Sequence, residues 1–376
     1  MRTPKFVVVF LIVLSVSSMV LAQGPTISSG TVIASGFNGP QGVLVDPAGN
    51  IWVIDSGFGG DQTVQIPGED GAMMDLAMGM TARIVKIAPD GTQTDIATLP
   101  SIASPEGEMF GGARLALLDG VLYATSGGWF GDPMSEPPVE NFSVILRVDG
   151  MEVTEIANTW DFEKTFNPDN PIFDSHPYGI TPGPDGWLWM ADAGANDLLR
   201  INPETGEILP VAVFDPLPGV FPNPSRNGAM EADPVPTAVA FDDEGNAYVS
   251  LLSGAPFVPG SAKVLRVTRT GEVSDYAVGL TTLTDLVRGP DGELYAVQFG
   301  IFTEEGPTPD SGAVLRIKEG SASEAVVSGL SFPTSIAFDR DGNAYVTING
   351  VGAPGSGAVV RFDNLTGMMG ESLPMQ

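Results

Sequence analysis

The chain has 376 residues, with 46 acidic and 17 basic side chains, a formal charge of −29, one histidine and no cysteine. Without a thiol it can build no disulfide, no Cys-ligated zinc or iron–sulfur centre and no thiol nucleophile, and a single histidine excludes an HExxH-type metal site. The acidic excess argues against nucleic acid, because affinity for a polyphosphate comes mainly from Lys and Arg displacing counterions.

Arg2 and Lys5 precede an apolar run from Phe6 to Leu14, and small residues then lead to Val20-Leu21-Ala22. A basic start, an apolar middle and a small-x-small ending are the parts of a secretory signal. The expectation is a signal peptide over 1–22, cleaved before a single domain over 23–376, in a secreted or periplasmic (cell-envelope) protein. No later stretch is apolar for long enough to span a bilayer.

From Gly42 onward one unit recurs. GVLVDPAGNIWVIDSG from Gly42 is followed by related segments beginning at Ala113, Tyr178, Thr237, Thr284 and Thr334. Each is a β-rich run, a tight turn with glycine, and a second β-rich run, which is a hairpin signature. The turn glycines are Gly49, Gly120, Gly186, Gly245, Gly292 and Gly342. A third run follows each hairpin and carries one cation: Lys86, Arg147, Arg200, Arg266, Arg316 or Arg361. Five of the third runs lead to a fourth. The missing sixth is supplied by TVIASGF after Gly30, at the front of the chain. Four strands per repeat mark a β-propeller. The fold class expected is therefore all-β: a six-bladed β-propeller of four-stranded blades, closed by residues 31–35 pairing beside Ala358–Phe362. Residues 61–81 read as a loop, and no helical period competes.

A residue type repeated in every unit is most simply required by the unit. The six cations sit among apolar neighbours, where a buried charge needs a partner, and Asp46, Asp185, Asp242 and Asp339 of the hairpins are the expected partners. Loop lengths are unequal. The short connections lie within hairpins and between third and fourth strands. The long ones (57–81, 127–143, 254–261, 300–311, 99–112, 158–177, 214–236) all leave one face, and elaborated loops on a rigid scaffold are where binding tends to reside. These loops carry Trp129, Phe130, Trp160, Phe162, Phe166, Phe173, Phe221, Phe257 and Phe302. The aromatics make either satellite cores or a pocket for a flat or apolar ligand.

His176, the only imidazole, precedes the third unit at the channel mouth and is a candidate general base or metal ligand. There is no Gly-x-Ser-x-Gly elbow for a nucleophile. Gly350-VGAPG has dinucleotide-loop spacing but lies between strands and opens no helix. Asp55, Asp192, Asp285, Gln298 and Asn349 near strand ends are oxygen donors suited to a hard divalent cation such as calcium. Asp55 and Asp192 are the metal candidates, and His176 and Asp285 the catalytic ones.

GFNGPQGVLVDPAGNIWVIDSG, GLTTLTDLVRGPDGELYAVQFG and GLSFPTSIAFDRDGNAYVTINGVGAPGSGAVVRF resemble the bacterial ScyD/ScyE family, named for clusters that make the pigment scytonemin. The resemblance spans the mature chain and implies an exported propeller of the NHL and gluconolactonase-like group, without a settled activity. Gluconolactonase-like relatives hold a divalent metal at the channel top with carboxylate and amide side chains. The matching positions here are Gln41, Tyr178 and Thr237, and none is a carboxylate.

Two functions follow. The preferred one is a non-catalytic exported propeller that binds a small molecule, or an extracellular protein or glycan, through its long-loop face. Gln41, His176, Tyr178, Thr237, Asp285 and Asn349 are its binding candidates. The protein is expected to be monomeric, with no nucleic-acid partner and no membrane span after signal cleavage. The alternative is a metal-dependent hydrolase, lactonase or lyase using His176 and Asp285.

Overall fold

The computed structural model describes residues 30–67, 73–104, 109–169, 173–320 and 322–373. The signal segment and part of the 61–81 loop lie outside the described residues. The fold is nearly all-β. Among the described residues, six antiparallel sheets each contain a run of four strands, in chain order in five of them. Sheet 1 holds Pro40–Val45, Ile51–Asp55, Met73–Ile87 and Gln93–Ala103; sheet 2 holds Gly112–Leu118, Val121–Ser126, Val144–Asp149 and Glu152–Asn158. Sheet 3 runs from Pro177–Pro182 to Ile208–Val213, sheet 4 from Pro236–Phe241 to Val273–Leu280, and sheet 5 from Leu283–Arg288 to Glu324–Leu330. Sheet 6 takes Ser335–Phe338, Ala344–Ile348 and Gly357–Phe362, and its fourth strand is Thr31–Phe37, in register from Thr31↔Arg361 to Phe37↔Gly357.

The core lies between sheets. Ile54, Ile84, Leu99, Leu122 and Leu146 fill the space between sheets 1 and 2, and Tyr123, Ile145, Met190 and Leu199 that between sheets 2 and 3. Similar layers join 3 to 4, 4 to 5 and 5 to 6. Phe37, Val53, Val85, Tyr345 and Val359 join sheet 6 to sheet 1. Each sheet is thus buried on both faces, which explains why its strands read as apolar runs rather than strict alternation. The first strands pack on one another in the same cyclic order. Glycine permits this approach at two places: a Cβ on Gly42 would lie 2.7 Å from the Ala113 carbonyl, and one on Gly179 2.4 Å from the Thr237 carbonyl. All six turn glycines have positive φ, between 79° and 85°.

Three expectations need revision. The 61–81 region is largely a β-ribbon, in which Gln62–Pro67 pairs with the first half of the long strand Met73–Ile87. Its alternating apolar residues found a core to enter, since Leu76 and Met78 are buried beside Trp129 and Trp160. Among the described residues there is one α-helix, Thr159–Phe166, capped by Asn158, whose side chain accepts from the Asp161 N–H. It is only two turns long, too short to impose a 3.6 period on the sequence.

The third revision concerns the cations. In every sheet the cation's cross-strand partner is an aromatic ring: Lys86↔Trp52, Arg147↔Tyr123, Arg200↔Trp189, Arg266↔Tyr248, Arg316↔Tyr295 and Arg361↔Tyr345. The hairpin aspartate instead bonds the ring's polar edge. Trp52 and Trp189 each donate Nε1–H at 3.0 Å, to Asp46 and Asp185. Tyr248, Tyr295 and Tyr345 donate to Asp242, Asp291 and Asp339 at 3.2, 2.8 and 3.2 Å. Of the expected pairs, Arg200–Asp185 forms, at 3.2 Å.

Candidate functional site

The axial ends of the first strands are tied to one another by threonines. Thr237 Oγ1 donates to the Leu283 carbonyl at 2.9 Å, Thr284 to Pro333 at 3.4 Å, and Thr334 to Pro40 at 2.5 Å. Thr125 does the same to Tyr178 at 3.0 Å from the second strand of sheet 2. At the centre lies Arg114, 5% exposed. Its NH1 donates to the carbonyls of Gln41 and Ala113, and its NH2 to those of Thr284 (2.5 Å) and Thr334 (2.8 Å). The Tyr178 ring lies 4.5 Å beneath the guanidinium, and Asp285 Oδ1 is 3.7 Å from Nε. One side chain therefore touches five of the six sheets. Arg114 had no signal in the sequence. It interrupts the Pro-x-Gly pattern of its neighbours, and this is the trace that could have singled it out.

Asp285 is committed to this hub. Its Oδ2 accepts from Ser335 Oγ at 2.6 Å and the Ile336 N–H at 3.0 Å, and its Oδ1 from the Leu286 N–H at 2.9 Å. Thr237 is 2% exposed and bonded across to sheet 5. Gln41 and Tyr178 sit together, Tyr178 donating its hydroxyl to Gln41 Oε1 at 2.9 Å while Gln41 Nε2 donates to the Gly350 carbonyl at 2.8 Å. Asn349 Nδ2 donates to Ser356 and Gln298 Nε2 to Ser311, so both pin loops.

Asp55 and Asp192 occupy equivalent places at the ends of second strands. Asp55 takes two bonds from the Asn38 N–H (3.0 and 2.9 Å) and one from Arg83 Nε (3.3 Å). Asp192 takes the N–H groups of His176, Gly194 and Ala195 and the Ser175 hydroxyl. Burial raises both pKa values, that of Asp192 to about 6.

His176 differs from these. Its backbone is fixed by the 2.6 Å bond to Asp192, but its ring makes no hydrogen bond among the described residues. The ring is partly exposed between Phe110 and Tyr178, each with its centroid 5.6 Å away. Burial of its surroundings lowers its pKa to about 4, so the imidazole is neutral at physiological pH. Gly128 is required beside it, since a Cβ there would lie 2.9 Å from His176 Cγ. Next to it opens a shallow apolar recess of about 30 Å³, lined by Met74, Leu76, Ile102, Phe110, Trp129 and Phe130. Of the loop aromatics, Trp129, Trp160 and Phe162 are buried; Phe130, Phe166 and Phe221 are exposed.

Behind His176, under the helix, several carboxylates are buried together. Burial is the leading cause of raised pKa values at Glu163 (to about 9), Asp169 (to about 6), Asp174 and Asp197 (both well above the usual carboxylate range), and mutual repulsion adds to it at each.

No family model and no curated protein matches the chain. Solved structures do, and those it resembles are β-propellers. A putative gluconolactonase matches at 15% identity, over 93% of this chain and 96% of its own, with a TM-score of 0.50. A putative oxidoreductase (glucose dehydrogenase) from Thermus thermophilus matches at 18% identity, over 88% and 98%, with a TM-score of 0.51. Virginiamycin B lyase from Staphylococcus aureus matches at 16% identity, over 90% and 99%, with a TM-score of 0.47. Likeness at these identities carries the fold alone.

Proposed function

We propose that the chain is an exported six-bladed propeller, closed by its leading strand, that binds a small molecule with an apolar or aromatic arm at the long-loop face without transforming it. The observation that carries this reading is His176: a neutral imidazole with unpaired ring nitrogens, held at the lip of an apolar recess. Such a group offers one hydrogen bond beside an apolar surface, the usual composition of a ligand site. The recess is too small to enclose a ring, so the apolar arm lies against its mouth while the rest of the ligand crosses the channel mouth. The channel itself is filled by Arg114, and the carboxylate nearest to it, Asp285, has every oxygen engaged. The resemblance to ScyD/ScyE chains makes flat aromatic secondary metabolites the first ligands to test.

Trp129 lines the recess and reports on its occupation. Titrating the mature protein with indolic and phenolic compounds should change its fluorescence saturably, and His176→Ala should weaken the response about tenfold, the worth of one hydrogen bond. No saturable change with any apolar-armed compound would overturn the reading. The alternative, a His176-dependent lyase or lactonase, draws on the same free imidazole, and turnover of a lactone and ester panel that disappears in His176→Ala would establish it. Closure is tested separately: deleting residues 23–36 removes the partner of Gly357–Phe362 and should lower the melting temperature by about 10 °C or more.

A further inference from the structure

Ten buried side-chain nitrogen or oxygen atoms among the described residues lack a hydrogen-bond partner, and five of them are carboxylate oxygens in one place. They are both oxygens of Glu163, both of Asp197 and Oδ1 of Asp169. Glu163 is 1% exposed on the inner side of the helix Thr159–Phe166, and Asp197 is 0% exposed at the start of the third strand of sheet 3. The Asp174 N–H is the one backbone donor that reaches toward Glu163, and it does not form a well-aligned bond. Asp169 arrives from the segment after the helix and is tied by Asn196 Nδ2 at 2.9 Å. Asp174 stands over the 192–197 turn, with its Oδ1 2.2 Å from where a Cβ on Gly194 would be. Among the described residues the cation in electrostatic reach is Arg226, which is already paired with Asp233 at 2.8 Å.

Buried acceptors without donors are costly, and uncompensated buried charges more so. We propose that the Glu163, Asp169, Asp174 and Asp197 carboxylates bind one divalent cation of the calcium class. Calcium takes six to eight oxygen ligands in a flexible geometry, whereas magnesium keeps its waters and demands a rigid octahedron, so a cluster of carboxylates on three separate segments, Glu163 and Asp197 among them fully buried, suits calcium. No three of these side chains yet share one point at ligation distance; the ion draws them together by side-chain rotation. It ties the helix, Asp169 and Asp174 to sheet 3, close to His176. This is a different place from the channel-top position of Gln41, Tyr178 and Thr237, and from Asp55; Asp192 stands beside the cluster and its charge acts on all four carboxylates, but its own oxygens are already bonded.

The test uses the mature protein stripped with a chelator and then titrated with calcium chloride, by calorimetry and by thermal unfolding. One saturating equivalent should bind, and the melting temperature should rise by about 5 °C at a hundredfold excess over the dissociation constant. The double variant Glu163→Gln, Asp197→Asn should lose both effects, while Asp275→Asn, an exposed acid paired with Lys263, should keep them. If the double variant does not fold, Asp169→Asn serves, with calcium affinity expected to fall at least tenfold. Absence of binding at millimolar calcium, many weak non-saturating sites, or equal stabilisation of wild type and variants would overturn the proposal. Since none of these readouts involves a small-molecule ligand, failure here leaves the function proposed for His176 standing.

Discussion

Two regions of this molecule bury charge, and they do it in opposite ways. At the channel centre, Arg114 meets four carbonyls, an aromatic face and Asp285, and Asp285 in turn accepts three hydrogen bonds. Under the helix Thr159–Phe166, five carboxylate oxygens accept nothing. A satisfied buried charge is a fastener, because removing either partner strands the other. An unsatisfied one is destabilising as it stands, and a protein keeps it where something else completes it. The contrast sets Asp285, a catalytic candidate in the sequence whose oxygens are all bonded, against Glu163, which carries no sequence signal and whose oxygens are not.

The largest effect that could break this contrast lies at the hub. Arg114→Ala should cost about 3–5 kcal/mol in urea unfolding, since it leaves the buried Asp285 without its counter-ion and strips several buried carbonyls of a donor. A loss under about 1 kcal/mol would show that the channel is wetter than its geometry implies. Next come the two acids, compared by the same substitution in chelator-stripped protein at pH 8. Asp285→Asn should destabilise by about 2 kcal/mol, whereas Asp197→Asn should be neutral or stabilise, because the carboxyl it replaces makes no hydrogen bond that would be lost. Equal losses would erase the distinction between the regions.

His176 gives a pH-dependent check between the two. Its folded pKa of about 4 lies below the unfolded value of 6.5, so the unfolded chain binds the proton more readily. Its contribution is fully present above pH 6.5 and lost as the pH falls toward 4. Comparing wild type with His176→Gln from pH 7 to pH 4 should therefore show an extra loss in the wild type, on the order of 2 kcal/mol allowing for the ring's partial exposure. Parallel curves would mean the imidazole charges freely in the fold. The smallest expected effect tests the repeated aspartate–aromatic bond. Tyr345→Phe should cost about 1 kcal/mol, while Tyr123→Phe, whose hydroxyl bonds no hairpin aspartate, should cost less.

Much of the architecture is legible in the sequence. The six turn glycines, the third-strand cations and the TVIASGF segment correspond to hairpins, third strands and the strand that completes sheet 6, because turns and strand alternation are governed by neighbours in the chain. The ribbon at 62–78 was hidden because Met and Gly dilute its alternation, and it is stabilised by a core built from three other segments.

The pairing of aspartate with aromatic rather than with cation was equally hidden. All three residue types recur in each unit, and only the register across the hairpin decides which of them meet. The site divides along the same line. His176 is visible as a lone imidazole before the third unit, but its neutrality and freedom come from Phe110, Gly128 and Tyr178, which three different segments bring to it.

The sequence alone determined the repeat, the turns and the unequal loops, since these depend on residues a few positions apart. The tertiary structure alone decided that Arg114 fastens five sheets and that Glu163, Asp169 and Asp197 face one another unpaired. Whether a buried charge is answered depends on groups up to 220 residues away, as the bond from Arg114 to the Thr334 carbonyl shows, and no local pattern records that distance.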